Sequence, residues 1–142
     1  MAELNIIEKV IALEAVELFH NLTPDQLSRI ALIAREVKYT PGKPILDPSQ
    51  ALDALFVIID GSVDIQRNGQ VLHVAKPYEV LGSWALFDEE PIPVTAEAVQ
   101  DVRLLRISRD DFFDLLSDNM EIAASIFSTL VKRFRKLVEQ QA

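Results

Sequence analysis

The spacing of apolar residues changes period twice along this 142-residue chain, and that change constrains the fold more than any other feature. Near both ends, apolar residues recur every three or four positions, which is typical of amphipathic helices. In the middle they alternate or form short runs between the turn signals Pro41-Gly42, Asp60-Gly61 and Asn68-Gly69. The pattern predicts an α+β, mainly β fold: an antiparallel β-barrel or jelly roll of about eight strands, with two N-terminal and two C-terminal helices.

The length of the chain sets the number of domains. It is long enough to bury one hydrophobic core and too short for two domains of ordinary size. We therefore expect a single domain over residues 1–142, with helices in residues 4–35, the β-barrel in 36–107 and the C-terminal helices in 108–139. Hydrophobic residues make up 49% of the chain, which is the content of a globular protein.

Capping residues mark where two of the helices begin. The stretch Thr23-Pro24-Asp25-Gln26 forms a capping box with proline at the first helical position. Ser108 precedes two aspartates and an apolar run, which is the pattern of a helix N-cap. Two more helices are predicted from apolar spacing alone, over Leu4–Phe19 and over Met120–Val138.

Charge and cysteine content exclude several classes of function. The chain has no cysteine, which excludes disulfides, thiolate zinc sites and a cysteine nucleophile. Its formal net charge is −8. An acidic chain repels nucleic-acid backbones unless a basic patch is set apart from the acidic residues. One basic cluster exists, and its two interpretations are a solvated helix end, which we favour, or a patch for a membrane surface or nucleic acid: Lys132, Arg133, Arg135 and Lys136.

No arrangement of residues points to catalysis. The histidines, His20 and His73, are far apart, and neither lies at metal-ligand spacing from another ligand. Asp110, Asp111 and Asp114 are expected in the first turn and on the solvent face of a helix. Nucleotide-hydrolysis and hydrolase motifs are also missing, so we expect no enzyme and no cofactor.

The sequence also lacks the signals of membrane insertion and secretion. No apolar run approaches the roughly 20 residues that span a bilayer. The first residues lack the positively charged segment of a secretory signal. The expected location is the cytoplasm, or the cytoplasmic face of a membrane protein.

Several joints of the chain carry a resemblance to a known family. Tyr39-Thr40-Pro41-Gly42 has the form of a first strand and turn, and Asp53–Val63 is an apolar strand that ends in a glycine turn. A third stretch begins at Gly82, continues through Ala85-Leu86 and Pro91, and ends at Thr95. Together these stretches resemble the cyclic-nucleotide-binding domain family, which includes the catabolite activator protein and the regulatory subunit of protein kinase A. The resemblance covers residues 16–137.

The resemblance implies a phosphate-binding cassette after Gly82. In the family, a short helix presents its free N–H groups to the cyclic phosphate, and a helix N-terminus suits an anion. A glutamate one residue after the glycine holds the ribose, and an arginine one residue after the cassette proline pairs with the phosphate. Carried onto this chain, the ligand-binding candidates are Gly82, Ser83, Trp84, Ala85, Leu86, Ile92, Pro93, Val94 and Thr95.

The two charged residues of the cassette are replaced in this chain. Ser83 stands in place of the glutamate, Ile92 stands in place of the arginine, and Pro93 lacks a backbone N–H. Losing one side of a buried charge pair costs about 2–5 kcal/mol, or about 30- to 3000-fold in affinity. We therefore expect the usual binding of cyclic AMP or cyclic GMP to be lost or weakened. Lys76 and Arg103 are the two alternative sources of the missing cation.

The resemblance leaves two functions open. The first is a regulatory sensor that binds a nucleotide-like small ligand, and the second is an interaction or dimerisation module with no small ligand. An enzyme ranks last. No helix-turn-helix follows the last helix, so DNA binding is not expected, and a larger, membrane-associated chain is a further option. Docking or homodimerisation would use the apolar stripe of the last helix: Ile122, Ile126, Leu130, Phe134 and Leu137.

Overall fold

Among the residues that the structure describes, four α-helices flank the strands, as the spacing predicts. The computed structural model describes residues 3–88, 91 and 93–141. None of the helices in this part of the chain has the length and apolarity to cross a membrane. The helices are α1 (Ile6–Leu13), α2 (Pro24–Ile33), α3 (Arg109–Asp118) and α4 (Met120–Gln141).

Eight strands in the described part of the chain form two antiparallel sheets of four. The strands are β1 (Arg35–Tyr39), β2 (Pro44–Leu46), β3 (Ala54–Asp60), β4 (Val63–Arg67), β5 (Gln70–Ala75), β6 (Val80–Leu81), β7 (Thr95–Ala98) and β8 (Val102–Ser108). The first sheet has the order β1-β8-β3-β6, and the second has the order β2-β7-β4-β5.

The strand β3 is apolar along its length because both of its faces are buried. Leu55 and Val57 pack against the helices in a helix-side core, whereas Phe56 and Ile58 pack against the second sheet in a core between the sheets. Successive side chains of a strand point to opposite faces, so one strand serves two cores. The result is three layers, with the first sheet between the helices and the second sheet.

The two sheets do not close into the single barrel expected for residues 36–107. Across the described residues, β1 and β6 remain the edges of the first sheet, and β2 and β5 remain the edges of the second. Apolar side chains join the sheets, including Phe56, Val63 and Ala96, and no backbone ladder runs between them. The mixed helix-and-sheet class is confirmed, the closed barrel is wrong, and the jelly-roll shape stays a prediction.

The capping residues correctly predict where two helices begin, whereas the apolar spacing predicts a first helix that is longer than the one observed. The Thr23 side chain accepts from the Gln26 N–H in a capping box, and Ser108 accepts from the Asp111 N–H. The predicted helix Leu4–Phe19 ends at Leu13 and is followed by a separate 3-10 turn, Glu17–Phe19. Val16 between them is extended, which lets the chain turn back and bury this segment in the helix-side core.

The stripe predicted on the last helix divides into two parts. Ile122 and Ile126 are buried in the helix-side core and cannot contact a partner. Leu130, Phe134 and Leu137 are 36%, 67% and 60% exposed. The beginning of α4 therefore belongs to the domain's own core, and only its second half presents apolar side chains to the outside.

Candidate ligand site

The described cassette segment, residues 82–88, begins at a glycine whose backbone conformation favours glycine over other residues. Gly82 follows β6 at φ +72°, a left-handed conformation that side chains disfavour. A 3-10 helix, Ser83–Leu86, follows, and the Ala85 N–H donates to the Gly82 carbonyl at 2.9 Å. Ala85 and Leu86, two of the predicted ligand residues, have buried side chains. Ser83 is only partly buried and lines a cavity.

The remaining predicted residues are more dispersed. Ile92 and the side chain of Trp84 lie outside the described residues. Pro93 is exposed, Val94 packs against the core between the sheets, and Thr95 pairs with Gln66 at the start of β7. Of the nine predicted residues, Ser83 is the one that the described part of the structure places in the cavity wall.

Arg109, at the start of α3, fixes the cassette segment to the rest of the domain. Its Nε donates to the carbonyl of Ala85 at 2.8 Å. Its Nη2 donates to the carbonyls of Leu52 at 2.9 Å and Asp88 at 3.1 Å. One guanidinium thus holds the 3-10 helix, the segment after it and the approach to β3 in place.

A cavity of about 840 Å³ lies beside Ser83. Ile65 and His73 line it from β4 and β5, and Tyr78–Leu81 lines it from the connection into β6. Phe87 and Asp88 follow Ser83 on the cassette side. The volume is that of a typical small-molecule site.

The other side of the cavity is formed by segments distant in sequence. Ala15, Glu17 and Leu18 come from the turn after α1, whereas Leu130 and Arg133 come from α4. The cavity therefore lies where the second sheet, the cassette segment and the last helix meet. A ligand held there would contact all three.

Carboxylates outnumber cations around the cavity. Glu17, Glu79 and Asp88 line it together with Arg133 and His73. The Arg133 Nε lies 3.1 Å from the Glu17 Oε1, and the His73 Nε2 lies 2.7 Å from the Glu79 Oε2. With His73 neutral, these five side chains carry two more negative charges than positive ones.

Neither cation considered from the sequence lines this cavity in the described structure. Arg103 pairs with Asp60 at 2.7 Å and with Glu36 at 3.7 Å, and lines a second cavity of about 280 Å³ beside β1. Lys76 is exposed and lines neither cavity. Arg103 is therefore an ion-paired residue at another place in the fold.

Sequence reasoning missed every residue of the cavity wall except Ser83 as a ligand residue, and the sequence around two of them, Arg133 and Tyr78, carries a signal. Arg133 is one of the four basic residues interpreted as a solvated helix end, and that cluster was the only signal of it. Tyr78 adopts φ +70°, which is rare for an aromatic residue, and its N–H donates to the Ile58 carbonyl at 2.7 Å. Pro77 before it indicates a turn but not this backbone conformation.

The fold and this cavity can now be compared with known proteins. The sequence model of the cyclic nucleotide-binding domain family matches residues 36–119, more than half of the chain. The chain belongs to that family. The match spans β1 to the end of α3 and includes the cassette segment.

Two relatives of the domain are named as a cyclic AMP receptor protein and a protein kinase regulatory subunit. The chain is 30% identical over 124 residues to the cyclic AMP receptor protein of Thermus thermophilus, covering 84% of this chain and 57% of the relative. It is 32% identical over 107 residues to the cAMP-dependent protein kinase regulatory subunit of Aspergillus niger, covering 73% and 26%. The chain thus spans little more than half of the first relative and about a quarter of the second.

A solved structure has the same fold over nearly its whole length. The N-terminal domain of a transcriptional regulator from Streptomyces coelicolor superposes with a TM-score of 0.82 at 25% identity. The superposition covers 92% of this chain and 95% of that domain.

Proposed function

We propose that the chain is a regulatory sensor module whose ligand, a nucleotide-like small molecule, occupies the 840 Å³ cavity beside Ser83. The observation that carries the proposal is the makeup of the cavity wall. One wall is the cassette segment, and another is the last helix through Leu130 and Arg133. A ligand there would contact both the cassette segment and α4, so its binding would change the position or the stability of this helix.

We further propose that affinity for cyclic AMP and cyclic GMP is weak. Ser83 cannot replace the charge of a glutamate toward a ribose hydroxyl. Glu79 and Asp88 also line the cavity, and like charges close together are unfavourable for an anionic ligand. A singly charged cyclic nucleotide would have to bind against this excess of carboxylates.

Thermal melts test the sensor directly. The protein is melted alone and with millimolar cyclic AMP, cyclic GMP, cyclic dinucleotides or linear nucleotides. A ligand present at 100 times its dissociation constant stabilises the fold by about 2.7 kcal/mol, a readily measured shift. We expect a shift with one of these ligands and only a small one with cyclic AMP. No shift with any of them would contradict the sensor and favour an interaction module without a ligand.

We propose that a second copy of the chain covers the exposed half of α4. The exposed or half-exposed apolar residues Phe127, Leu130, Phe134 and Leu137 are spaced three, four and three positions apart. This is the a/d spacing at which one helix packs against another of the same kind. Static light scattering is expected to give a dimer mass, and a monomer mass at all concentrations would contradict the pairing.

We propose that the sensor controls a separate effector. The relatives are named as a receptor and as a kinase regulatory subunit, which suggests a module that controls another activity. We place the chain in the cytoplasm or on the cytoplasmic face of a membrane protein. DNA contact by this domain itself is disfavoured by the net charge of −8.

A further inference from the structure

One ion pair joins the last helix to the N-terminal segment at the edge of the cavity. The Nε of Arg133 lies 3.1 Å from the Oε1 of Glu17. Both side chains also line the cavity that contains Ser83. Arg133 is the one arginine or lysine that the described residues contribute to this wall.

The position of Arg133 is fixed by the turn of α4 that precedes it. Thr129, one helical turn earlier, is buried and its hydroxyl accepts from the Nδ2 of Asn21 at 2.7 Å. Residues four apart lie on the same helix face. The backbone of Arg133 is therefore held over the same N-terminal segment, whereas its side chain is half exposed.

The pair with Glu17 is easily exchanged. The two side chains are 52% and 57% exposed, and exposed ion pairs contribute little to stability. An arginine paired with a phosphate or carboxylate through two parallel hydrogen bonds is held more strongly. An anion that enters the cavity can thus replace Glu17 as the partner of Arg133, and losing the Glu17 pair costs little free energy.

Other arginines near the cassette already have structural partners. Arg103 is paired with Asp60 and Glu36, and Arg109 donates to backbone carbonyls of the cassette segment. Moving either one would break contacts that hold the sheet or the cassette. Arg133 has no such role among the contacts described.

We propose that Arg133 provides the positive charge for an anionic ligand, with Glu17 as its partner when the cavity is empty. The ligand class is a singly charged anion, such as a phosphodiester or carboxylate, because Glu79 and Asp88 disfavour a second negative charge. The inference rests on the proposed sensor function and assigns the cation to the last helix instead of the cassette.

Calorimetric titration with cyclic AMP, a phosphodiester monoanion, tests this assignment, and adenosine is the uncharged counterpart. The variants are Glu17→Gln, Arg133→Gln, the double variant, and Arg135→Gln as a control that removes the same charge from an α4 residue outside the cavity wall. Light scattering on each variant separates any change in oligomeric state from a change in binding.

Arg133→Gln is expected to weaken cyclic AMP binding on the order of tenfold, because a charge-assisted hydrogen bond is lost. Glu17→Gln is expected to strengthen it about two- to fivefold, because Arg133 loses its competing partner. The double variant should bind cyclic AMP as weakly as Arg133→Gln does. Arg135→Gln should bind cyclic AMP with an affinity close to that of the wild type, and the affinity for adenosine should be similar in all variants.

The possible failures are distinguishable. Cyclic AMP binding that is equal in Arg133→Gln and Arg135→Gln overturns the role of Arg133 and leaves the sensor function standing. Equal changes for cyclic AMP and adenosine also overturn it, since the effect would not depend on the anion. No cyclic AMP binding by the wild type or by Glu17→Gln overturns the role of Arg133, whereas the absence of a melt shift by any nucleotide overturns the sensor function as well.

Discussion

Individual glycines differ in what an added side chain would meet, although their backbones are alike. Gly42, Gly61 and Gly82 have φ of +85°, +91° and +72°. Alanine in this conformation costs about 1–2 kcal/mol at each position. A β-carbon at Gly42 meets nothing within 4 Å, at Gly82 it meets the flexible Leu52 side chain and the Ala54 carbonyl at 3.2 Å, and at Gly61 it lies 2.6 Å from the Asp101 carbonyl.

Alanine substitutions at these three glycines should therefore rank by their surroundings. Urea unfolding is expected to show the smallest loss for Gly42→Ala, a larger one for Gly82→Ala and the largest for Gly61→Ala, since a backbone carbonyl cannot move aside. Gly42→Ala serves as the control because it measures the backbone cost alone. Equal losses at all three would mean that packing around Gly82 and Gly61 is unimportant.

Tyr78 combines a left-handed backbone with a side chain in the cavity wall. Replacing it with asparagine or valine removes the same ring, but asparagine tolerates φ +70° and β-branched valine does not. We expect Tyr78→Val to be less stable than Tyr78→Asn by about 1–2 kcal/mol in urea unfolding. Equal stability of the two variants would show that the loop relaxes to an ordinary conformation without cost.

At the scale of elements, one side chain holds the cassette segment on α3. Arg109→Met would leave the carbonyls of Leu52, Ala85 and Asp88 without this donor, at a cost of about 1–3 kcal/mol. Urea unfolding should show this loss, and hydrogen exchange at the Ala85 amide should become faster. The control is Arg106→Met, which removes a surface pair with Asp53 worth under about 1 kcal/mol. Equal effects of the two variants would contradict the anchoring role.

Elements defined by local chemistry were predictable, and those that depend on distant contacts were not. The capping boxes and N-caps act within four residues, so Thr23 and Ser108 locate their helices correctly. The end of α1 is set by burial of the following turn against other helices, which periodicity does not report. Ser83 could be found from the glycine before it, whereas Arg133 reaches the same cavity from 50 residues further along the chain.

Over the whole molecule, α4 serves two environments in sequence. Its first turns contribute Ile122 and Ile126 to the helix-side core, and its later turns expose Phe127 and Phe134. The cavity borders the second region through Leu130 and Arg133. Ligand binding and pairing with a second copy would therefore act on the same helix over neighbouring turns, and a ligand could influence the dimer without a separate transmitting element.

The two regions of α4 can be separated by how unfolding depends on protein concentration. Ile126→Ala is expected to cost about 2–5 kcal/mol through the cavity it leaves, with the melting temperature still dependent on concentration. Phe134→Ala should make the melting temperature independent of concentration, because association stabilises only the paired form. The free energy of unfolding of the isolated domain should fall by less than about 0.5 kcal/mol, because Phe134 is exposed. Differential scanning calorimetry over a range of concentrations measures both effects. A melting temperature of the wild type that is independent of concentration, or a Phe134→Ala variant as destabilised as Ile126→Ala when dilute, would contradict the pairing of the second half of α4 with a second copy.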